Sequence, residues 1–148
     1  ALREEGFAAQ AVKNADMAMR TADVITCATM SPTPLVRGAL LKPGVHVDVV
    51  GAFRPDMRET DDETVRRSRI FVDTREGALA EAGDLLLPMA HGVIGEANVL
   101  GDLIGLCKSD IVGRTSTDEI TMFKSVGTAI EDWAAAVLAY ETTTDRAN

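Results

Sequence analysis

Three stretches of the chain place small or hydroxyl-bearing residues directly after runs that read as strands. Cys27-Ala28-Thr29-Met30-Ser31-Pro32 follows the β-branched run from Val24, Val50-Gly51-Ala52-Phe53 follows the run from Val45, and Phe123-Lys124-Ser125-Val126-Gly127 closes a third. Backbone and hydroxyl groups at such places can face a ligand. Gly51 and Ala52 carry too little side chain to block a close approach to the backbone, although the same pair can equally do no more than end a strand. Lys124 and Ser125 offer a cation and a hydroxyl to anionic or polar groups, against the plainer reading of a solvated lysine beside a helix start.

The remaining reactive side chains carry less. His46 falls within a strand-like run and reads as a packed histidine; His91 lies in a glycine-containing loop and its role stays open. Neither has a neighbour at the spacing of a metal site or of a nucleophile and its base. Asp61, Asp62 and Glu63 sit where a helix begins, and acidic residues there complement the helix dipole without any further role. The six methionines are scattered, as core filling would be. No G-x-G-x-x-G or G-x-x-x-x-G-K-[ST] loop occurs, so no phosphate cradle of either kind is present in these residues.

Composition narrows the class. The 148 residues suit one domain or a piece of one, since a chain of this size hides roughly 70% of its unfolded surface. A net charge of -8, with four Phe, one Trp and one Tyr, leaves no basic stripe and few rings to stack on bases, so nucleic acid is not an expected partner. No apolar run approaches the roughly 20 residues that cross a bilayer, and the first residues do not read as a signal peptide. Cys27 and Cys107 form no framework of bridges and read as reduced thiols, which places the protein in the cytoplasm.

The elements that must position the three stretches follow from periodicity. Ala1 to Gly6 reads as the last turn of a helix with Gly6 as its stop, an opening that suggests missing upstream sequence. Phe7 to Val12 reads as a strand. Asn14 caps a helix over 15–21. The almost uncharged run from Val24 to Thr29 reads as a parallel strand covered on both faces. Lys42-Pro43-Gly44 is a turn before a strand over 45–50. A helix runs from Asp61 or Asp62 through Ser68, a strand covers 70–72, and a helix from Thr74 to Ala82 is closed by Gly83. Between Leu85 and Ser116 the pattern weakens, with one helix over 98–107; a strand over 121–126 and an Ala-rich helix over 129–140 follow. Strands alternating with short helices predict an α/β fold, a doubly wound and mostly parallel sheet. In such sheets ligands bind beyond the carboxyl ends of the strands.

Four motifs in order give the chain a family resemblance. Val50-Gly51-Ala52-Phe53-Arg54-Pro55-Asp56-Met57-Arg58-Glu59 with Asp61-Asp62-Glu63, then Phe71-Val72-Asp73-Thr74-Arg75, then Glu81-Ala82-Gly83-Asp84-Leu85, then Thr121-Met122-Phe123-Lys124-Ser125-Val126-Gly127 with Glu131-Asp132, resemble the ornithine cyclodeaminase and mu-crystallin family. The resemblance covers the whole chain but only the C-terminal part of a family member. It implies residues 1–148 as the C-terminal portion of an NAD(P)-binding Rossmann domain, without its first glycine-fingerprint half. Residues 117–148 would form the closing strand and helix that return to an N-terminal domain.

The resemblance also implies a function. Relatives of this kind transfer a hydride between a nicotinamide and the Cα of an amino or imino acid, as homodimers using NAD or NADP. Carried onto this sequence, Thr29, Met30 and Ser31 would line the nicotinamide and ribose side, Val50, Gly51 and Ala52 the opposite side, and Ser125 and Val126 would close the pocket. Phe53 stands where cyclodeaminases proper carry an aspartate that exchanges a proton. A phenyl ring has no such proton, which favours reduction of a cyclic imino acid of the pyrroline-2-carboxylate type, or oxidation of the matching amino acid, over release of ammonia from ornithine. A non-catalytic, crystallin-like dinucleotide or ligand carrier is the further alternative. The substrate arginine and lysine would lie outside these 148 residues, so no catalytic residue is assigned within them. Lacking the phosphate-gripping amides, the chain by itself is expected to bind cofactor weakly and to associate through uncovered apolar surface.

Overall fold

The computed structural model describes residues 2–145. Its centre is a five-stranded, all-parallel sheet of β1 (Val24–Cys27), β2 (His46–Val49), β3 (Ser68–Val72), β4 (Val99–Asp102) and β5 (Ile120–Lys124), in the order β1-β2-β5-β3-β4. Six α-helices accompany it: α1 (Ala15–Thr21), α2 (Asp62–Arg67), α3 (Arg75–Glu81), α4 (Gly83–Ala90), α5 (Leu103–Cys107) and α6 (Ala129–Asp145). The expected α/β fold with a parallel sheet is what forms.

Alternation along the strands builds the core. In β2, Val47 and Val49 are buried while His46 and Asp48 are half-buried; Ile70 and Val72 of β3 and Ile120 and Met122 of β5 join them, with Val36, Val65 and Leu85 packed alongside. Successive residues of a strand point to opposite faces, so this set is one continuous apolar layer. Helix starts are fixed by side chains: Asn14 Oδ1 accepts from the Asp16 amide at 2.9 Å, and Asp61 Oδ1 accepts from the Thr64 and Gly38 amides, both at 2.8 Å. Asp62 and Glu63 then follow in the first turn of α2, as the dipole reading requires. Lys42-Pro43-Gly44 turns as expected, with Gly44 at φ 82°.

Five expectations need correction. Phe7 to Val12 is not a strand; Phe7 and Val12 are exposed, and the hydrogen bonds there are local ones. The run from Val24 is not covered on both faces, because the sheet order puts β1 at an edge and leaves Val24 60% exposed. Leu2 to Gly6 forms turns rather than a helix end, although Gly6 does take φ 88°. Gly83 opens α4 instead of merely stopping a helix: it lies so close to the carbonyls of Met57 and Arg54 that no side chain fits. Pro88 inside α4 disguises that helix in the sequence. The helix expected over 98–107 is a short 3-10 turn, then β4, then α5, which the Asp102 carboxylate caps through the Gly105 amide at 2.8 Å.

Candidate functional site

Register decides where the strand ends fall. Cys27 pairs with Val49, Val49 with Lys124, and Lys124 with Val72. The residues that follow, Thr29, Gly51, Ser125 and Asp73, therefore emerge along one edge of the sheet. Two of the three stretches singled out above touch directly. The Val50 amide donates to Cys27 O at 2.8 Å and the Ala52 amide to Thr29 O at 3.0 Å. A Cβ built on Gly51 would overlap both the carbonyl oxygen and the amide nitrogen of Thr29. Glycine here does more than end a strand; it lets two strand tips cross in contact. Ala52 beside it has φ 49°, a left-handed conformation that costs a residue with a Cβ about 1 kcal/mol.

Ser125 joins through its amide, which donates to Val49 O at 3.0 Å. Its hydroxyl points to Asp73, an almost fully buried carboxylate at the end of β3. Asp73 Oδ2 accepts from Ser125 Oγ at 2.9 Å and from the Val126 and Gly127 amides at 2.8 Å each, while Oδ1 accepts from the Thr74 amide at 2.7 Å. One carboxylate thus shapes the whole turn from β5 toward α6, with Gly127 at φ 86°. The loop after β1 is similarly knitted: Thr29 Oγ1 accepts from the Ser31 amide at 3.2 Å, Ser31 Oγ donates to Thr33 O at 2.7 Å, and Ser31 O accepts from the Arg58 amide at 2.9 Å. Met30, Val50 and Phe53 stand exposed around these tips and make an apolar surface there, a shelf at the strand ends. A separate apolar groove of about 280 Å³ lies elsewhere, along the open edge of β1 against α1.

Lys124 departs from both readings of the sequence. It is fully buried, neither solvated nor presented to an anion. Its Nζ donates to Gly51 O, lies 3.5 Å from Val49 O and 3.8 Å from Asp84 Oδ2. Burial holds its ammonium below the ordinary lysine value, against the pull of the Asp84, Glu59, Asp73 and Asp48 carboxylates. Glu59 and Asp84, both fully buried, were not singled out by sequence. Glu59 Oε1 accepts from the Thr29 amide at 2.5 Å; Asp84 Oδ1 accepts from the Glu59 and Thr60 amides at 2.8 Å and from Thr60 Oγ1 at 2.7 Å. Cys27 lies over this cluster, and burial, then the Glu59, Asp84 and Asp48 charges, push its thiol up to about 11.

The other candidates sit apart. His46 Nδ1 is 2.8 Å from Thr121 Oγ1 across the β2 and β5 pair, and His91 Nδ1 is 3.7 Å from Asp62 Oδ2 at the end of α4. Neither reaches the strand tips. Among the described residues no helix is long and apolar enough to cross a membrane.

Comparison with known proteins gives four findings. The model of the ornithine cyclodeaminase/mu-crystallin family matches residues 1–147. A Delta(1)-pyrroline-2-carboxylate reductase of Colwellia psychrerythraea is 46% identical over 123 residues, 83% of this chain and 38% of that protein. Among solved structures, the Delta(1)-pyrroline-2-carboxylate reductase of Thermococcus litoralis in complex with NADH and L-proline aligns with a TM-score of 0.93 at 39% identity, over 99% of this chain and 45% of that one. An archaeal alanine dehydrogenase dimer with bound NAD aligns at 0.88 and 32% identity, over 99% and 45%. The chain thus spans less than half the length of these relatives.

Proposed function

The chain belongs to the ornithine cyclodeaminase/mu-crystallin family, and on that premise we propose that it supplies the nicotinamide-facing wall of an NAD(P)-dependent imine reductase. The substrate is a cyclic imino acid of the pyrroline-2-carboxylate type, or the matching amino acid in the oxidative direction. The observation that carries this reading is the row of parallel strand tips in which Gly51 meets Thr29, in a chain that aligns over 99% of its length with a reductase holding NADH and L-proline.

The residues present fit the ring end of a dinucleotide. A flat ring needs an apolar surface with backbone close by; Gly51 and Ala52 are buried at these strand tips, and Met30, Val50 and Phe53 are the exposed apolar side chains beside them. Thr29 and Ser31 bring hydroxyl groups to one side; Ser125 and Val126, set by Asp73, close the other. Lys124 is turned inward, so no cation from β5 competes for the shelf. When bound, the nicotinamide supplies the hydride, and the chain's own task is to orient the ring and keep water from its face. Phe53, with no proton to exchange, contributes apolar surface and not acid-base chemistry, which suits a reductase better than loss of ammonia.

Residues 117–148 form the closing segment toward the remainder of the enzyme in this reading, and a homodimer is the assembly. Support comes from α6, which leaves Ile130, Trp133, Leu138 and Tyr140 exposed, and from the dimeric alanine dehydrogenase relative. The test is direct. Full-length protein mixed with NADH or NADPH and pyrroline-2-carboxylate should oxidise the cofactor and form proline. Tight cofactor binding without turnover of any imino or amino acid would leave only a carrier.

A further inference from the structure

The three buried ionisable groups beneath the shelf are not explained by stability. Glu59, Asp84 and Lys124 are each fully buried, and one oxygen of Glu59 and one of Asp84 accept no hydrogen bond. Taking charges out of water costs more than their attraction returns unless the geometry is complete, and apolar replacements of such groups are often neutral or stabilising. Here the geometry is incomplete. What the groups do touch is specific: Glu59 Oε1 takes the Thr29 amide, and Lys124 Nζ takes the Gly51 carbonyl. Thr29 and Gly51 are the two backbones that cross in contact at the ends of β1 and β2.

We propose that Glu59 and Lys124 are positioning residues, a buried clamp that holds the Thr29 and Gly51 peptides in the one orientation that keeps the two strand tips in contact. Glu59 pulls on the β1 side of the crossing and Lys124 on the β2 side. Asp84 anchors the clamp by fixing the Glu59 and Thr60 amides from the start of α4, and its second oxygen stands 3.8 Å from Lys124 Nζ. The clamp also accounts for the backbone of Ala52. A left-handed alanine persists only where its surroundings over-determine it, and the one peptide group that leads into Ala52 is held at both its oxygen and its nitrogen. The carbonyl before it is gripped by Lys124, and its own amide donates to Thr29 O at 3.0 Å. Released from Lys124, Ala52 would relax toward negative φ and turn the Gly51 peptide.

The role rests on the reductase reading only for its consequence, cofactor binding; the clamp itself is read from the backbone. The test uses full-length protein carrying K124M together with E59Q. This pair removes the donor to Gly51 O, leaves an acceptor for the Thr29 amide and keeps the formal charge of the cluster; Asp84 loses the Lys124 ammonium beside its Oδ2 but keeps the Glu59 and Thr60 donors at its Oδ1. Hydrogen exchange at the Ala52 amide should quicken about tenfold or more while exchange at Ile70 in β3 stays unchanged, and Kd for NADH or NADPH should rise about tenfold. Adding A52G should restore part of the affinity, because glycine adopts positive φ without cost. Ala52 exchange and Kd both within about twofold of wild type would overturn the clamp. So would equal acceleration at Ile70, which would mean loss of the fold and not of the crossing. If the parent binds no dinucleotide, the function proposed above fails on its own, and the Ala52 exchange still decides the clamp.

Discussion

Gly51 lies against Thr29 without room for a methyl group between them, and the next residue, Ala52, donates its amide to the carbonyl oxygen of that same Thr29 at 3.0 Å. The two strand tips are thus both pressed together and hydrogen-bonded. A side chain at 51 has nowhere to go, because what it meets is the Thr29 backbone and the buried Glu59 carboxylate.

Gly51→Ala should therefore force the tips apart. Overpacking against an unyielding neighbour costs about 1–3 kcal/mol, and here the displaced atoms also carry the shelf. Urea unfolding of the variant should show that loss, and dinucleotide affinity should fall with it. An alanine variant with unchanged midpoint and unchanged affinity would show that the crossing has slack.

Asp73 supports a second prediction. Its Oδ2 accepts three donors, from Ser125, Val126 and Gly127, and Oδ1 a fourth, from Thr74. Asp73→Asn places an NH2 where a donor now points. The buried mismatch should cost about 2–4 kcal/mol, whereas Ser125→Ala, which removes one donor, should cost about 1 kcal/mol. The ratio is the check. Equal losses in the two variants would mean that the turn depends on the serine hydroxyl and not on the carboxylate.

Strands β1, β2, β3 and β5 were legible because they are short, β-branched and bounded by turn residues, whereas β4, Val-Leu-Gly-Asp running straight into α5, was read as part of a helix. Val47 and Val49 point inward as alternation requires, and the positions after β1, β2 and β5 meet along one edge because the register aligns Cys27, Val49 and Lys124. Helix α4 was hidden by Pro88, and the edge position of β1 could not be read because strand order is set by tertiary pairing. The inward turn of Lys124 was in fact readable. Ile120, Met122 and Lys124 alternate on one face of β5, and two of the three belong to the core. Glu59 and Asp84 gave no such signal, since each lies outside a strand and finds its hydrogen-bond partners 24 to 30 residues away.

His46 gives a prediction for pH. It pairs with Thr121 across β2 and β5, and its Nδ1 lies 2.8 Å from Thr121 Oγ1, which also accepts from Arg114 at 2.9 Å. Burial lowers its pKa, the Arg114 charge adds to the effect, and Asp48 opposes it. Unfolded, the ring titrates near the ordinary value of about 6.5. As pH falls through that value, the unfolded chain takes up a proton that the folded chain refuses, so the folded state loses stability until pH passes the lower folded pKa. Above about pH 7 the residue contributes no pH dependence. Unfolding midpoints in urea, followed from about pH 7 down to about pH 5, should fall more steeply for wild type than for H46Q. Parallel profiles for wild type and H46Q would mean that His46 gains its proton as readily in the sheet as in the open chain.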